Sequence, residues 1–545
     1  MKPTKQQNAI IDFPGSAVVI ASPGSGKTFV ISEKIRKQLR ELSEFQGVIA
    51  ISYTNKSSAE LQRRCLANGL PPKNSFFGTI DKFCISEIII PFGKQVIGLP
   101  SREIKVKTIS NLNEEQQADL SWYSKETTFE TMTSEHITTL SNIFRNGLIV
   151  LEAVGLLAEY LLKKSTSCKK YLSSRYKFIY IDEYQDSGLS QHKIFLEIKN
   201  LGVTAIAVGD LNQSIYEFSG RSSKYLEELS NDTGFKLFHL DKNHRCHDSI
   251  INYSNYLLNS RTTLVQVDEI VVHYSRISGD ERAIANWIDV NIDKISKKYG
   301  IQDKSQIAIL CKSNRTCEIV NSSMKTPHRY IVATDLDYDM NAWSSIFSSL
   351  LKYYYGSLKY FVEVVEQYAS YEKIRGQSKK ELNEARALID AFKGSSETSI
   401  DLIASEFSKI ADIIAPNSES QASFEMLLDV LRNEDSKKSY MESSNEEVSI
   451  LTLHKAKGLE FDVAINLDLY EWIFPQKLPG PNNDFQNPVF SNFTQDMNLH
   501  YVGLTRAKKA ALLLSSSYRT NYQGLRKPGS ESEFLTINGI HRLRR

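Results

Sequence analysis

Short apolar runs that end in polar clusters recur along the chain. Ala17-Val-Val-Ile-Ala21, Phe178-Ile-Tyr-Ile181 and Ala205-Ile-Ala-Val-Gly209 lie in the first half, and Glu269–Tyr274 and Gln306–Cys311 in the second. A run of this kind, bounded by turn residues, fits a strand buried on both faces of a parallel sheet. Between the runs, apolar positions return at helical spacing. Phe29–Leu39, Asp280–Lys298 and the series Trp343, Phe347, Leu350, Leu351 are examples. Ser313-Asn314-Arg315 is a turn that would cap the next helix. Pro475–Pro488, rich in proline and asparagine, is expected to be a loop. Lys373–Glu384 and Asn433–Glu447 are charge-rich and read as solvated helix faces or linkers. Strands alternating with helices predict an α/β protein with parallel sheets.

Two of the runs end in recognisable chemistry. Ala21-Ser22-Pro-Gly24-Ser25-Gly26-Lys27-Thr28 joins the first strand to a helix. A Gly-rich turn at a helix N-terminus makes a phosphate cradle. Backbone N–H groups converge on the anion, Lys27 reaches the terminal phosphates, and the Thr28 hydroxyl takes Mg²⁺. The strict pattern has glycine where Ala21 stands, so this is a variant form. The strand ending at Ile181 leads into Asp182 and Glu183. Asp182 suits Mg²⁺, and Glu183 suits polarisation of an attacking water. A solvated strand end is the plain alternative, weakened by the cradle upstream. After Gly209-Asp210, Gln213 could sense a γ-phosphate; Tyr216 and Phe218 alternate onto one side, which taken alone is more often a core pair and otherwise a stacking platform for unpaired bases.

Composition bounds the reading without deciding it. A chain of 545 residues is too long for one ordinary core, so two to four domains are expected. Lys and Arg number 66 against 64 Asp and Glu, a balance that neither demands nor excludes nucleic acid. Six cysteines form no C-x-x-C pair, which supports neither a disulfide frame nor a metal cluster. No apolar run approaches the roughly 20 residues of a membrane span. The first residues carry no apolar segment after their lysines, so a cytoplasmic location is expected.

The ordered motifs resemble a superfamily 1 helicase of the UvrD/Rep/PcrA type. Gln6-Gln-Asn-Ala9-Ile10 is similar to the adenine-reading glutamine motif, with Gln6 at the family's glutamine. Ser52–Glu60 resembles motif Ia, Phe77–Phe83 motif Ib, Asp182–Asp186 motif II and Gly209–Gly220 motif III. Leu240–Arg245 resembles motif IV, Thr452–Phe461 motif V and Tyr501–Ala507 motif VI. Gly78–Gly93 and His500–Lys508 look most similar to the helicase-like subunit of the Gabija anti-phage system.

The resemblance implies two RecA-like P-loop lobes with helical insertions, ATP and Mg²⁺ between the lobes, and single-stranded or tailed DNA across both. Lobe 1A would comprise residues 1–93 and 175–233, and insertion 1B residues 94–174. Lobe 2A would comprise 234–337 and 445–545, with a short insertion 2B at 338–444. Catalysis would fall to Lys27, Glu183, Gln213, Arg245 and Arg506. The nucleotide would be held by Gln6, Ser22, Gly24, Ser25, Gly26, Lys27, Thr28, Phe29, His244, Arg245, Glu460 and Arg506, and Mg²⁺ by Thr28 and Asp182. DNA would meet Tyr53, Thr54, Asn55, Thr79, Tyr216, Phe218 and His454. Glu460 would contact the ribose, and translocation would run 3′ to 5′.

Some positions depart from the family pattern. Motif III reads Phe218-Ser219-Gly220-Arg221 in place of Trp-Arg-Gly. His244 stands for an adenine-stacking tyrosine, Phe29 for an arginine, and Met497-Asn498 for paired arginines. Two readings follow. One is an ATP-dependent DNA helicase or translocase acting in anti-phage defence or repair. The other is a DNA- or nucleotide-sensing ATPase that activates a partner nuclease, which the Gabija resemblance implies to be an OLD-family ATPase–TOPRIM endonuclease. A P-loop kinase or GTPase leaves motifs Ia, III, V and VI unexplained.

Overall fold

Six parallel strands organise the first half of the chain. They are β1 (Ala17–Ala21), β2 (Gly47–Ile51), β3 (Phe76–Gly78), β4 (Tyr176–Ile181), β5 (Thr204–Gly209) and β6 (Lys236–Leu240), in the order β3-β2-β4-β5-β1-β6. This is a computed structural model. It describes residues 2–53, 55–102, 104–215, 220–332, 334–339, 341–366, 368–369, 371, 374–394, 399–416, 418–521 and 523–545, with side chains omitted at 55, 56, 68 and 338. The chain divides into two units, Met1–His244 and Arg245–Arg545.

Successive side chains on a strand point to opposite faces, so the all-apolar strands feed two cores. Val18, Ile49, Ile51, Ile179, Ile181, Ala205 and Ala207 face one, which is closed by residues of the segment 80–97 and of helices Val154–Lys164, Thr166–Arg175 and Leu189–Asn200. Val19, Ala21, Val48, Ala50, Tyr180, Ile206 and Val208 face the other, together with residues of the helices Lys27–Glu41 and Asn55–Cys65. Because every strand runs the same way, the loops after β1, β2, β3, β4, β5 and β6 leave one edge of the sheet. In open parallel sheets that carboxyl edge is where ligands bind.

The second unit repeats the plan. β7 (Val272–Ile277), β8 (Ile307–Cys311), β9 (His328–Tyr330), β10 (Val448–Thr452), β11 (Phe461–Asn466) and β12 (Ala507–Ser516) form a parallel sheet in the order β9-β10-β8-β11-β12-β7. Between β9 and β10 the chain is helical and forms its own core, from Leu336 through Phe347, Phe407 and Leu431 to Tyr440.

Several expectations change. The second unit was expected to begin near Gly234, but β6 pairs with β1 from Ala17↔Lys236 to Ala21↔Leu240 and belongs to the first sheet. Its sequence, KLFHL, is an edge strand with exposed lysine and leucine, so it lacks the fully apolar signature. Residues 94–174 are not only helical: Lys105–Lys107 and Leu148–Val150 form a short parallel pair. The strand expected at Glu269 begins at Val272; the Val271 amide donates to Ser249 Oγ (3.1 Å) and its carbonyl accepts from Ala511 N (3.1 Å). Pro475–Pro488 is not a plain loop. Lys477–Gly480 and Asp484–Phe490 make a hairpin whose turn places Asn482 and Asn483 at positive φ, a conformation asparagine tolerates.

One buried charge fixes the N-terminal helix Lys5–Asp12 against the sheet. Lys34 Nζ donates to the carbonyls of Ile10 (3.0 Å), Ile11 (3.2 Å) and Phe13 at that helix's C-terminal end, where Ile10 O also accepts from Phe13 N (3.3 Å). Burial pushes the Lys34 ammonium down to about 8, helped by Lys37 and opposed by Asp12. Lys34→Met removes the side-chain donor from these carbonyls, leaving Ile10 O with Phe13 N alone, and is expected to cost on the order of 1–3 kcal/mol in chemical unfolding. The folded chain releases this proton more readily than the unfolded chain. Wild type therefore gains stability over the variant as pH rises from about 8 towards 10. Identical unfolding midpoints across that range contradict the assignment.

Candidate active site

The cradle is built by backbone constraints. Ser22 N donates to Leu240 O (2.9 Å), pinning the loop to the end of β6, and Ser25 Oγ donates to Ser22 O (2.7 Å). Gly24 (φ 67°) and Gly26 (φ 89°) take left-handed conformations that turn the chain into the helix Lys27–Glu41. A Cβ on Gly26 would stand 2.7 Å from Gln7 Nε2. That amide donates to Ser25 O (3.0 Å), so Gln7 supports the cradle from below. Gln7 is itself held by a capping box with Thr4, whose amide donates to Gln7 Oε1 (2.9 Å).

A cavity of about 220 Å³ adjoins the cradle, lined by Thr4, Lys5, Gln6, Gln7, Ser25, Leu240, Lys242 and His244. His244 N donates to Gly24 O (2.9 Å), which draws His244 onto the loop. Gln6 and His244, both expected to meet a base, therefore share one wall system. Phe29 does not line this cavity; it packs against the core containing Ile10 and Val30.

The acidic groups arrive from β4 and β5. Thr28 Oγ1 donates to Asp182 Oδ2 at 3.4 Å, and Glu183 N donates to Asp182 Oδ1 at 2.9 Å. Glu183 is left-handed (φ 54°, ψ 43°), a conformation that costs a non-glycine residue about 1 kcal/mol or more. Its carboxylate lies 3.9 Å from Lys27 Nζ and accepts from Gln185 Nε2 (2.6 Å). Gln185 Oε1 accepts from Asp210 N (3.0 Å), and Asp210 Oδ2 accepts from Gln213 Nε2 (2.8 Å). Glycine at 209 makes room for this relay, since a Cβ there would meet Gln185 Oε1 at 2.5 Å. Lys27, Glu183, Gln185, Asp210 and Gln213 thus form one connected line across three loops.

Burial raises the Asp182 carboxyl well above the usual range, with the Glu183 charge adding and Lys27 opposing. Burial likewise raises Asp210, again opposed by Lys27. A bound cation would favour the ionised forms. A hydroxyl and a carboxylate oxygen this close suit Mg²⁺, which commonly takes few protein ligands and completes its shell with phosphates and water. Among the described residues no cluster of three or more His, Cys, Asp or Glu could hold a metal alone.

Tyr53 follows β2 on the same edge, and the Arg221 guanidinium lies over its ring at 4.2 Å. Thr79 follows β3 and caps the short helix Ile80–Phe83, its hydroxyl accepting from Lys82 N (3.4 Å). Thr54, Tyr216, Phe218 and Ser219 lie outside the described residues, as does the Asn55 side chain.

In the second unit, Arg245 Nη2 pairs with Glu460 Oε1 at 2.5 Å, and Lys508 Nζ lies 3.5 Å from the same carboxylate. Arg506 ends the helix Phe493–Thr505 and is buried. Its guanidinium donates to Val502 O (3.1 Å), Leu459 O (3.3 Å) and Thr505 Oγ1 (3.4 Å). His454 sits just past β10. Burial, with the Lys312 charge second and Asp496 opposing, lowers its pKa and keeps the ring neutral at physiological pH. Gln7 and Gln185 were assigned no role from the sequence, and Arg221 appeared there only as a motif III residue near the missing arginine. The Thr4-x-x-Gln7 spacing of a capping box could have revealed the first.

Residues 3–92 and 101–234 match the family model described as UvrD/REP helicase N-terminal domain, and residues 344–519 match the UvrD-like helicase C-terminal domain. Gabija protein GajB of Bacillus cereus is 27% identical over 93% of this chain and 94% of its own length. A probable DNA helicase II homolog of Mycoplasma genitalium is 21% identical over 98% of this chain and 88% of its own length. ATP-dependent DNA helicase PcrA of Leuconostoc citreum is 21% identical over 97% and 84%.

The left-handed turn at Gly26 generates a test. Gly26→Ala adds strain of about 1–2 kcal/mol and drives the Gln7 amide from Ser25. Affinity for a fluorescent ATP analogue is expected to fall at least ~10-fold, the equivalent of that strain and more. Wild-type affinity in this variant contradicts the account of the cradle.

Proposed function

We propose that this chain, which belongs to the UvrD-like helicase family, couples ATP hydrolysis to 3′-to-5′ movement along single-stranded DNA. Membership carries the class of activity, an ATP-dependent DNA helicase. The observation that carries the site assignment is the line from Lys27 through Glu183 and Gln185 to Asp210 and Gln213.

In this reading the cradle amides and Lys27 hold the triphosphate, and Gln6 and His244 flank the base. Thr28 and Asp182 would hold Mg²⁺, which supplies charge neutralisation at the phosphates when bound. Glu183, poised beside Lys27, orients and polarises the attacking water. Gln213 reads the γ-phosphate, exchanging its contact with Asp210 for the nucleotide. Arg245 and Arg506 supply positive charge to the transition state, and Glu460 meets the ribose once Arg245 turns away from it. Tyr53, Thr54, Asn55, Thr79, Tyr216, Phe218 and His454 carry the strand. Residues 94–174 and 338–444 serve as the inserted subdomains.

A second reading draws on the similarity to GajB across nearly the whole chain. The same ATPase would sense DNA or nucleotide state and license a nuclease partner, of the OLD-family ATPase–TOPRIM kind, with little unwinding of its own. Serine at 219 and the short insertion at 338–444 favour it. ATP turnover with and without a 3′-tailed duplex, measured beside strand separation, decides between the two. Stimulated turnover with separation supports the motor, and stimulated turnover without separation supports the sensor. Turnover indifferent to DNA contradicts both.

Glu183→Gln is expected to lower kcat for ATP by about 10² or more while nucleotide affinity stays within about threefold. Full turnover in this variant removes Glu183 from the mechanism.

A further inference from the structure

Among the described residues Arg221 is a cation without a counter-charge. Its guanidinium lies over the Tyr53 ring at 4.2 Å, and Nη1 is buried with no hydrogen-bond acceptor. Among the described residues no carboxylate lies within ion-pair distance of it. The guanidinium stays charged near neutral pH, and a buried N–H without an acceptor costs free energy that an incoming anion would recover. The backbone holds the arginine in place: Arg221 bridges Gly188, and Ser222 N donates to Ser187 O (3.2 Å), directly after the Asp182–Asp186 turn. Tyr53 follows β2 at the carboxyl edge of the sheet.

We propose that Arg221, laid flat on Tyr53, binds a backbone phosphate of the DNA strand, and that the Tyr53 ring acts as its platform. Stacking fixes the plane of the guanidinium and leaves its N–H edge to grip phosphate oxygens in a bidentate way. A lysine at this position would carry the charge without the plane. Burial also lowers the Arg221 pKa to about 10, the direction expected of a cation waiting for an anion. The inference rests on the DNA-binding reading above, and its test separates the two.

The test titrates the full chain into a fluorescein-labelled oligo-dT by anisotropy at a series of salt concentrations. Each phosphate contact on a single strand contributes about 0.7 to the slope of log affinity against log salt. Arg221→Gln is expected to lose about that much slope and to bind about tenfold more weakly at low salt. Arg221→Lys is expected to keep the slope while losing affinity. The slope does not depend on the folded fraction, so a partly unstable variant still reports. A wild-type slope in Arg221→Gln overturns the inference. So does a weakened fluorescent ATP analogue with an unchanged DNA slope, because the anion would then be the nucleotide. A wild-type chain that fails to bind the oligonucleotide overturns the DNA reading itself.

Discussion

The approach of Lys27 to Glu183 depends on strand order. β1 and β4 lie on either side of β5, so the loops after all three meet at one edge. Lys27 and Glu183 are far apart in sequence, yet their charged groups stand 3.9 Å apart. Gln185 links Glu183 to Asp210, and Gly209 is bare because Gln185 Oε1 occupies the room a side chain would need. No single segment makes this site. The parallel register makes it, and the apolar strands that bury both faces hold the register.

Every charged group proposed to touch the nucleotide already has a partner within its own unit. Lys27 has Glu183, Asp182 has Thr28, Arg245 has Glu460, and Arg506 has the carbonyls of Val502 and Leu459. Binding then exchanges partners and does not strip bare charges of water, which keeps the desolvation cost moderate. The price of readiness shows in the backbone, where Glu183 is left-handed and Asp182 is a buried carboxyl. Arg221, proposed to meet DNA and not the nucleotide, differs: among the described residues it rests on an aromatic face with no carboxylate beside it.

The sequence was most legible where apolar runs meet glycine or acid. β1, β4, β5 and β8, and the helices after Gly26 and Asp280, stand where their patterns put them. These are buried central elements, for which hydrophobicity and structure coincide. The edge strand β6 was not legible, because half of an edge strand faces water and needs no apolar run. The hairpin after Phe474 hid behind its prolines, and the asparagines at its turn were the available signal. Contacts such as Gln185 with Asp210 or Arg221 with Tyr53 join residues far apart in sequence, and no local pattern encodes them. Phe29 looked like a stacking group by its place after Thr28; it is half-buried, with contacts to the apolar core.

The proposed function requires that Glu183 and Arg506 serve one phosphoryl-transfer transition state. Single-turnover ATP hydrolysis by Glu183→Gln, Arg506→Ala and the double variant tests it most directly. Groups that act as a unit are strongly non-additive. The account predicts that Arg506→Ala alone slows hydrolysis by about 10³ and that the double variant falls little below the slower single one. Losses that multiply in full, or an Arg506→Ala enzyme at the wild-type rate, contradict it.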